Sequence, residues 1–291
     1  MSNYSIRDLE QLSGIKAHTL RIWEQRYNII EPRRTDTNIR YYNDQDLKLV
    51  LNIALLKDHG YKISEISKLG LDDMNKEVIT ISDRKLNYPD QIHALTVSMI
   101  DIDEERFEKI ISTNFLQFGF ENTMVHIIYP FLSRIGTLWI TGSIGPAQEH
   151  FIINLIRQKI IVAIDGVVPK YRPETKKYLL ILPEGEYHEI GLLFANYIIR
   201  SNNHRVIYLG QNLPFNELIF ACESHKPDGI FISITSVMPN EEVQNYVDKV
   251  CKQFPNLDIL FTGYQIVGQD IKVGSNATVI NKIDDLLQIV G

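Results

Sequence analysis

The sequence predicts a multidomain fold of α and α/β type. It reads as a winged helix-turn-helix, a helical bundle, and a doubly wound, Rossmann-like domain on a five-stranded parallel sheet. Three observations predict this. To about residue 75 the chain shows short amphipathic helical patterns broken by turn signals. Residues 90 to 167 carry longer helical periodicity, from Phe107 to Phe131 and from Phe151 to Ile164. From Lys176 onward, short β-branched or apolar runs alternate with helical stretches. The expected domains are residues 1–75, 90–167 and 176–291. Linkers are expected at Leu71–Pro89, polar and weakly patterned, and at Val167–Thr175, which holds Pro169 and Pro173. A chain of 291 residues suits that division at roughly 100–200 residues per domain.

In the first module, Ser5 is placed to cap a short helix with Asp8 at its third position. Ser13-Gly14 makes a tight turn, and Lys16–Tyr27 forms a second helix with Leu20 and Trp23 inward and Arg21 outward. Two short helices joined by a turn containing Gly make a helix-turn-helix unit, whose second helix enters the DNA major groove. The segment Glu31–Tyr42 reads as a basic, hairpin-like loop returning into a helix over Asp44–His59. Such a loop beside a recognition helix clamps backbone phosphates. Charge agrees. The chain carries a formal −6, yet between Lys16 and Arg40 six basic residues (Lys16, Arg21, Arg26, Arg33, Arg34, Arg40) face three acids. That asymmetry describes a nucleic-acid head on a partner-binding body.

In the middle module, Gly142 and Gly145 permit a turn between two helices, and Pro146 suits the first position of the second. Glu149 and His150 fall in that helix's opening turns, where the dipole favours a carboxylate. Trp139 ends the preceding helix. An adenosine-like group would stack on its indole and hydrogen-bond to Glu149.

In the third module the strands are Tyr178–Leu182, Arg205–Leu209, Gly229–Thr235, Asp258–Thr262 and Ala277–Ile280. The helices are Ile190–Arg200, Phe215–His225, Asn240–Phe254 and Lys282–Val290. The alternation makes a parallel sheet. GxGxxG is absent from the first connection, Leu182–Gly191, which excludes a dinucleotide loop. It instead sets His188 at the carboxyl end of the first strand, where open α/β sheets bind ligands. Glu186, two residues earlier, is placed to accept the second ring N–H and fix the tautomer of a metal-bound imidazole. Gly191 lets the next helix approach a bulky ligand.

Three family resemblances follow from these residues. Over about the first 70 residues, Thr19-Leu20-Arg21-x-Trp23-Glu24, Arg40-Tyr41-Tyr42 and Asp46-Leu47 resemble the DNA-binding domain of MerR-type transcription regulators. The resemblance implies base and phosphate contacts from His18, Thr19 and Arg21, and wing contacts from Arg34, Arg40 and Tyr41. Glu-x-His-x-x-Gly at 186–191, Ser233-Ile234-Thr235 and Thr262-Gly263 resemble the cobalamin-binding fold. That resemblance implies His188 as the lower cobalt ligand, oriented by Glu186, with Ser233 completing the hydrogen-bond chain and Gly191, Thr235 and Gly263 lining the cofactor site. Departures are Glu for Asp at 186, Thr235 for Leu, and Tyr264 for the second Gly, whose side chain is placed to narrow the nucleotide slot. The spacing Trp139-x9-Glu149-His150 resembles the light-responsive, cobalamin-dependent MerR-type repressors of the CarH/LitR group. It implies that Trp139, Glu149 and His150 contain a 5′-deoxyadenosyl group on the upper face. Photoreceptor members carry His after the Trp, and this chain has Ile140.

The resemblances together imply a repressor of a double-stranded DNA operator with bound adenosylcobalamin, alternatively methylcobalamin or no cofactor. A long coiled-coil helix after the wing is not in the pattern beyond Gly70, so a homo-oligomer, dimer or tetramer, must form through other surfaces. A light-independent regulator sensing cobalamin supply, or one answering to an antirepressor protein, fits the same residues. A corrinoid methyl carrier fits the last two modules but not the DNA head. No hydrolase or transferase constellation appears, so no enzyme is expected. The acidic run Asp101–Glu105 reads as a helix N-terminus. Cys222 and Cys251, without CxxC spacing, argue against a disulfide scaffold or a Cys-based zinc site. The absence of a run of ~20 apolar residues and of a signal-peptide core points to no membrane and a cytoplasmic location.

Overall fold

The computed structural model describes residues 4–35, 38–84, 88–140 and 144–291, apart from the side chains of 79–84 and 137–140. The chain divides into two compact units, Met1–Leu155 and Ile156–Gly291.

The first unit is helical. Helix α1 (Ile6–Ser13) opens on the expected capping box. The Ser5 hydroxyl accepts the Asp8 N–H at 3.3 Å, and the Asp8 carboxylate accepts the Ser5 N–H at 2.7 Å. Gly14 ends it at φ 73°, a left-handed conformation that glycine adopts without a Cβ penalty. Helix α2 (Ala17–Tyr27) buries Leu20 and Trp23. The wing is a two-stranded antiparallel ribbon, β1 (Arg33–Arg34) with β2 (Arg40–Tyr41). A β-bridge from Tyr4 to Tyr42, both rings buried, closes the head. Helix α3 (Asp44–Asp58) starts on a second box, Asn43 with Asp46, and is the core around which the head packs, burying Leu47, Val50, Leu51, Ile53 and Leu56.

After the short α4 (Ile63–Ile66) comes a correction to the expected linker. Leu71–Arg84 is a helix, α5, with Asp72 and Asp73 in its first turn. Met74 and Val78, four residues apart, are buried. Among the described residues that i, i+4 pair, with the hydrogen bonds Asn52–Asn75 at 3.0 Å and Tyr61–Glu77 at 2.9 Å, supplies the tertiary anchor that weak overall periodicity concealed. Helix α6 (Tyr88–Asp101) is buried on most of its surface and is held to α3 by Lys48 Nζ–Asp101 Oδ2 at 2.6 Å and His59 Nε2–Asp90 Oδ2 at 3.3 Å. Helix α7 (Glu104–Phe118) is capped by Asp103, as the acidic run implied. The periodicity read from Phe107 to Phe131 is interrupted at Gly119, φ 78°. The chain restarts as α8 (Phe120–Thr123), a π-helical turn (Met124–Ile128) and α9 (Tyr129–Ile140). Helix α10 (Pro146–Asp165) begins on Pro146.

The second unit is the doubly wound domain: β3 (Lys177–Pro183), α11 (Ile190–Ser201), β4 (Arg205–Leu213), α12 (Phe215–His225), β5 (Gly229–Ser233), α13 (Asn240–Gln253), β6 (Asp258–Thr262), β7 (Ala277–Val279) and α14 (Ile283–Val290). All five strands pair in parallel, in the order β4-β3-β5-β6-β7. Central β3 reads Tyr-Leu-Leu-Ile-Leu with every one of these side chains fully buried, as a strand covered on both faces requires. The proline-bearing segment before β3 is pinned: the Lys170 N–H donates to Asn203 Oδ1 at 2.7 Å, and the Thr175 hydroxyl donates to the Asn203 carbonyl at 3.1 Å. Because β4 and β5 flank β3 on opposite sides, the chain reverses its strand order at β3. The carboxyl end of β3 is therefore the switch-point crevice.

Candidate functional site

At that crevice the β3–α11 connection carries Glu186 and His188. Glu186 is 2% exposed, and its carboxylate accepts six hydrogen bonds. Oε1 takes the Tyr187 and His188 backbone N–H groups at 2.8 and 2.9 Å, His188 Nδ1 at 2.7 Å and the Ser236 hydroxyl at 2.9 Å. Oε2 takes the Thr235 and Ser236 N–H groups, both at 2.6 Å. Burial by itself would raise this carboxyl's pKa. The hydrogen bonds from the His188 side chain and from the Ser236, His188 and Thr235 backbones outweigh it and hold the group well below the usual carboxylate range. An ionised carboxylate only accepts, so His188 Nδ1 carries the proton and the lone pair belongs to Nε2, on the far side of the ring. The imidazole is 60% exposed. Its Nδ1 edge is anchored on the Glu186 carboxylate.

The neighbouring residues are arranged to leave room. A Cβ built on Gly191 meets nothing within 4 Å. Tyr264, whose bulk threatened the slot, is 66% exposed at the end of β6. Gly263 meets a backbone requirement: at φ 104°, its Cβ would stand 2.3 Å from the Ile234 carbonyl oxygen, so only glycine lets the ends of β5 and β6 close. Thr235 contributes its backbone N–H, a contact that does not depend on which side chain stands there. The serine closing the network is Ser236 rather than Ser233. Ser233 ends β5, buried and paired with Thr262, and the loop beyond it turns the Ser236 hydroxyl toward Glu186. Sequence reading missed Ser236 and the β4 residues bracing the loop, where Asn212 Oδ1 accepts the Gly185 N–H at 2.8 Å and Gln211 Nε2 donates to the Tyr187 carbonyl at 3.0 Å. Among the described residues no three His, Cys, Asp or Glu side chains gather to hold a metal ion.

Directly after it, Glu189 is buried and accepts from Arg157 Nε of α10 and from the Tyr208 hydroxyl at 3.2 Å. In the first unit, Glu149 and His150 lie in the opening turn of α10, Glu149 half-buried and His150 exposed. Gln148 Oε1 accepts the Gly145 N–H at 3.2 Å and fixes this turn. Trp139 belongs to α9, and its side chain lies outside the described residues.

On the head, His18 and Arg21 project from α2 into solvent, with Thr19 half-buried beside them. Arg34 is exposed on the wing, with Nη1 donating to Asn38 Oδ1 at 2.7 Å. Arg40 and Tyr41 are half-buried. Arg40 Nε lies 3.3 Å from Glu24 Oε1, which ties the wing to α2. Two exposed apolar residues went unread: Ile22 on α2 and Ile39 beside β2.

Residues 4–70 match the family described as MerR HTH family regulatory protein, and residues 91–163 match the B12 binding domain. The chain joins a MerR-type helix-turn-helix to a B12-binding domain. The MerR match spans α1 through α4 with the wing, and the B12 match spans α6 through α10. This MerR–B12 chain is homologous to two repressors of Myxococcus xanthus. It is 27% identical over 259 residues to the HTH-type transcriptional repressor CarH, covering 87% of this chain and 85% of that one. It is 26% identical over 255 residues to the HTH-type transcriptional repressor CarA, covering 86% and 84%. Among the described residues no helix is long and apolar enough to cross a membrane.

Proposed function

We propose that the chain is a cytoplasmic, non-enzymatic transcriptional repressor in three modules. Residues 1–75 bind a double-stranded operator, and residues 90–167 and 176–291 hold adenosylcobalamin and build a homo-oligomer whose state answers to light. The observation that carries the reading is the Glu186–His188 pair at the sheet's switch point. It gives an exposed imidazole its tautomer, its orientation and a lone pair on Nε2. The residues fit the group: an exposed histidine donor, open space at Gly191 and an exposed Tyr264.

When bound, adenosylcobalamin supplies a cobalt–carbon bond that light cleaves. His188 Nε2 would hold the cobalt, and Glu186 would keep the proton on Nδ1. Trp139, Glu149 and His150 are assigned to the adenosyl group. Arg21, Thr19 and His18 read bases or phosphates from α2, and Arg34, Arg40 and Tyr41 hold the adjacent backbone. Several heads in one oligomer raise avidity without new contacts. Control requires that the alkylated and lit forms of the protein favour different assemblies.

One observation favours a second reading: Ile140 follows Trp139 where a histidine would serve a photoreceptor. A regulator that senses cobalamin supply, or answers to an antirepressor, keeps every other assignment. Absorption spectra of the protein reconstituted with adenosylcobalamin, before and after green light, separate the two, with size-exclusion chromatography alongside. Light-dependent spectral change and loss of the oligomer are expected. A bound but light-inert oligomer moves the reading to the second form. His188→Ala is expected to abolish cofactor-dependent oligomerisation, and unchanged dark oligomers in that variant refute the mechanism.

A further inference from the structure

On the α12–α13 side of the sheet, a cavity of about 200 Å³ opens at the same carboxyl edge as His188. Glu186 borders it, so it adjoins the candidate cobalt site. Its apolar lining is Phe215, Ile234, Met238 and Val243. Its polar groups are unusual. The Tyr246 hydroxyl is buried and has no hydrogen-bond partner among the described residues, while its ring stands edge-on to Phe215 at 6.1 Å. Burial pushes this phenol well above its ordinary pKa, so it remains a donor at any physiological pH. Lys249 Nζ sits 3.8 Å above the Phe215 ring, and Glu184 and Glu242 complete the lining.

Elimination by chemistry narrows the occupant. A hydrocarbon arm leaves the Tyr246 donor unanswered. A carboxylate meets Glu184 and Glu242 as like charges, and an ammonium offers Tyr246 no acceptor and meets Lys249. A primary carboxamide on a short alkyl arm answers the orphaned phenol and a lining carboxylate together. Its carbonyl accepts from Tyr246, its NH₂ donates to a carboxylate, and its methylenes lie along Phe215, Ile234 and Met238. We infer that this cavity is a carboxamide-binding subsite that takes one of the amide arms on the rim of the corrin, and so grips the ring independently of the bond to cobalt. The inference rests on the cobalamin reading above.

The test titrates the full chain with adenosylcobalamin by absorbance, and separately titrates the cofactor-free chain with propionamide while following ring-labelled tyrosine by NMR. Tyr246→Phe, which keeps the ring packing, is expected to weaken adenosylcobalamin roughly three- to ten-fold, the effect of one net hydrogen bond, with the spectrum of histidine-ligated cobalt unchanged. Propionamide is expected to give a saturable shift of the Tyr246 signal, absent with propionate and propylammonium. If the wild-type chain binds adenosylcobalamin and Tyr246→Phe binds it within twofold, the subsite is refuted and the cobalamin reading stands. If the wild-type chain binds no cobalamin, the function fails, and the propionamide titration alone decides: a saturable shift upholds the carboxamide cavity, and no shift refutes it.

Discussion

His93 offers a prediction about the stability of the helical unit. It lies on α6, buried at 6% exposure, and its Nε2 has no hydrogen-bond partner among the described residues. Burial is the main reason its pKa falls from 6.5 to about 3, and the positive charges of Arg134 on α9 and Arg106 on α7 push in the same direction. The sign follows from linkage. Between those two pH values the unfolded chain binds a proton at this residue and the folded chain does not. Stability is therefore complete above the unfolded value and is lost as pH falls toward the folded one. The loss is about 1.4 kcal/mol per pH unit, or roughly 2 kcal/mol between pH 6.5 and pH 5. Other histidines and carboxylates titrate in the same range, so the decisive quantity is a difference between proteins. Urea unfolding of the full chain, followed by helical circular dichroism at pH 7.5, 6 and 5, is compared with that of His93→Leu. The variant is expected to match the wild type within about 1 kcal/mol at pH 7.5, because a ring nitrogen that makes no bond contributes little when removed. It is expected to be the more stable protein by roughly 2 kcal/mol at pH 5. Parallel pH dependences in the two proteins would show that His93 is not a buried neutral imidazole and would refute the reasoning.

Ser236→Ala removes a hydroxyl from Glu186 and is expected to weaken cobalamin binding on the order of ten-fold, in line with the loss of a partner that orients a metal-bound histidine. Thr235→Leu, whose contact is made by the backbone, is expected to bind within about twofold in the same titration. On the DNA head, Arg34→Ala is expected to lower the slope of log affinity against log salt by about 0.9 for operator and random duplex alike, as one lost phosphate contact requires. An unchanged slope would place Arg34 off the backbone.

Most elements of the third module were legible to within two residues, with β4 running four residues past its expected end, because a parallel sheet announces itself twice: fully buried strands read as unbroken apolar runs, and each must be followed by a crossover helix. The Phe215–His225 and Asp258–Thr262 elements appear with the same limits in sequence and structure. The cap at Ser5 and the helix start in the acidic run Asp101–Glu105 were equally plain, since both are local chemistry. What escaped was set by partners distant in the chain. Helix α5 is anchored by two buried residues, and by hydrogen bonds to Asn52 and Tyr61, against a core its own sequence does not show, and Gly119 divides a helical pattern that periodicity alone carries through. Ser236 escaped for the same reason. It reaches Glu186 across 50 positions of sequence, and a motif ending at Thr235 gives no hint that the loop turns one residue later.

That distance has a consequence for how the site forms. Glu186 is a buried carboxylate, and burying one without donors is costly enough that the group would protonate instead. Its own loop supplies the Tyr187 and His188 N–H groups and the His188 ring, and the β5–α13 loop supplies three more donors, one from Thr235 and two from Ser236. Neither loop satisfies the carboxylate alone. The imidazole is therefore oriented only after β3 and β5 have paired and both connections have settled over the sheet edge. The ordering cost is met by folding, before any ligand arrives. A histidine set this way loses little freedom on binding, and a loop that must first be arranged by its ligand would bind more weakly for the same bond. Glu at 186 keeps a carboxylate within reach of the His188 ring and of the β5–α13 loop together. Its charge is held by donors from both loops, which keeps the proton on Nδ1.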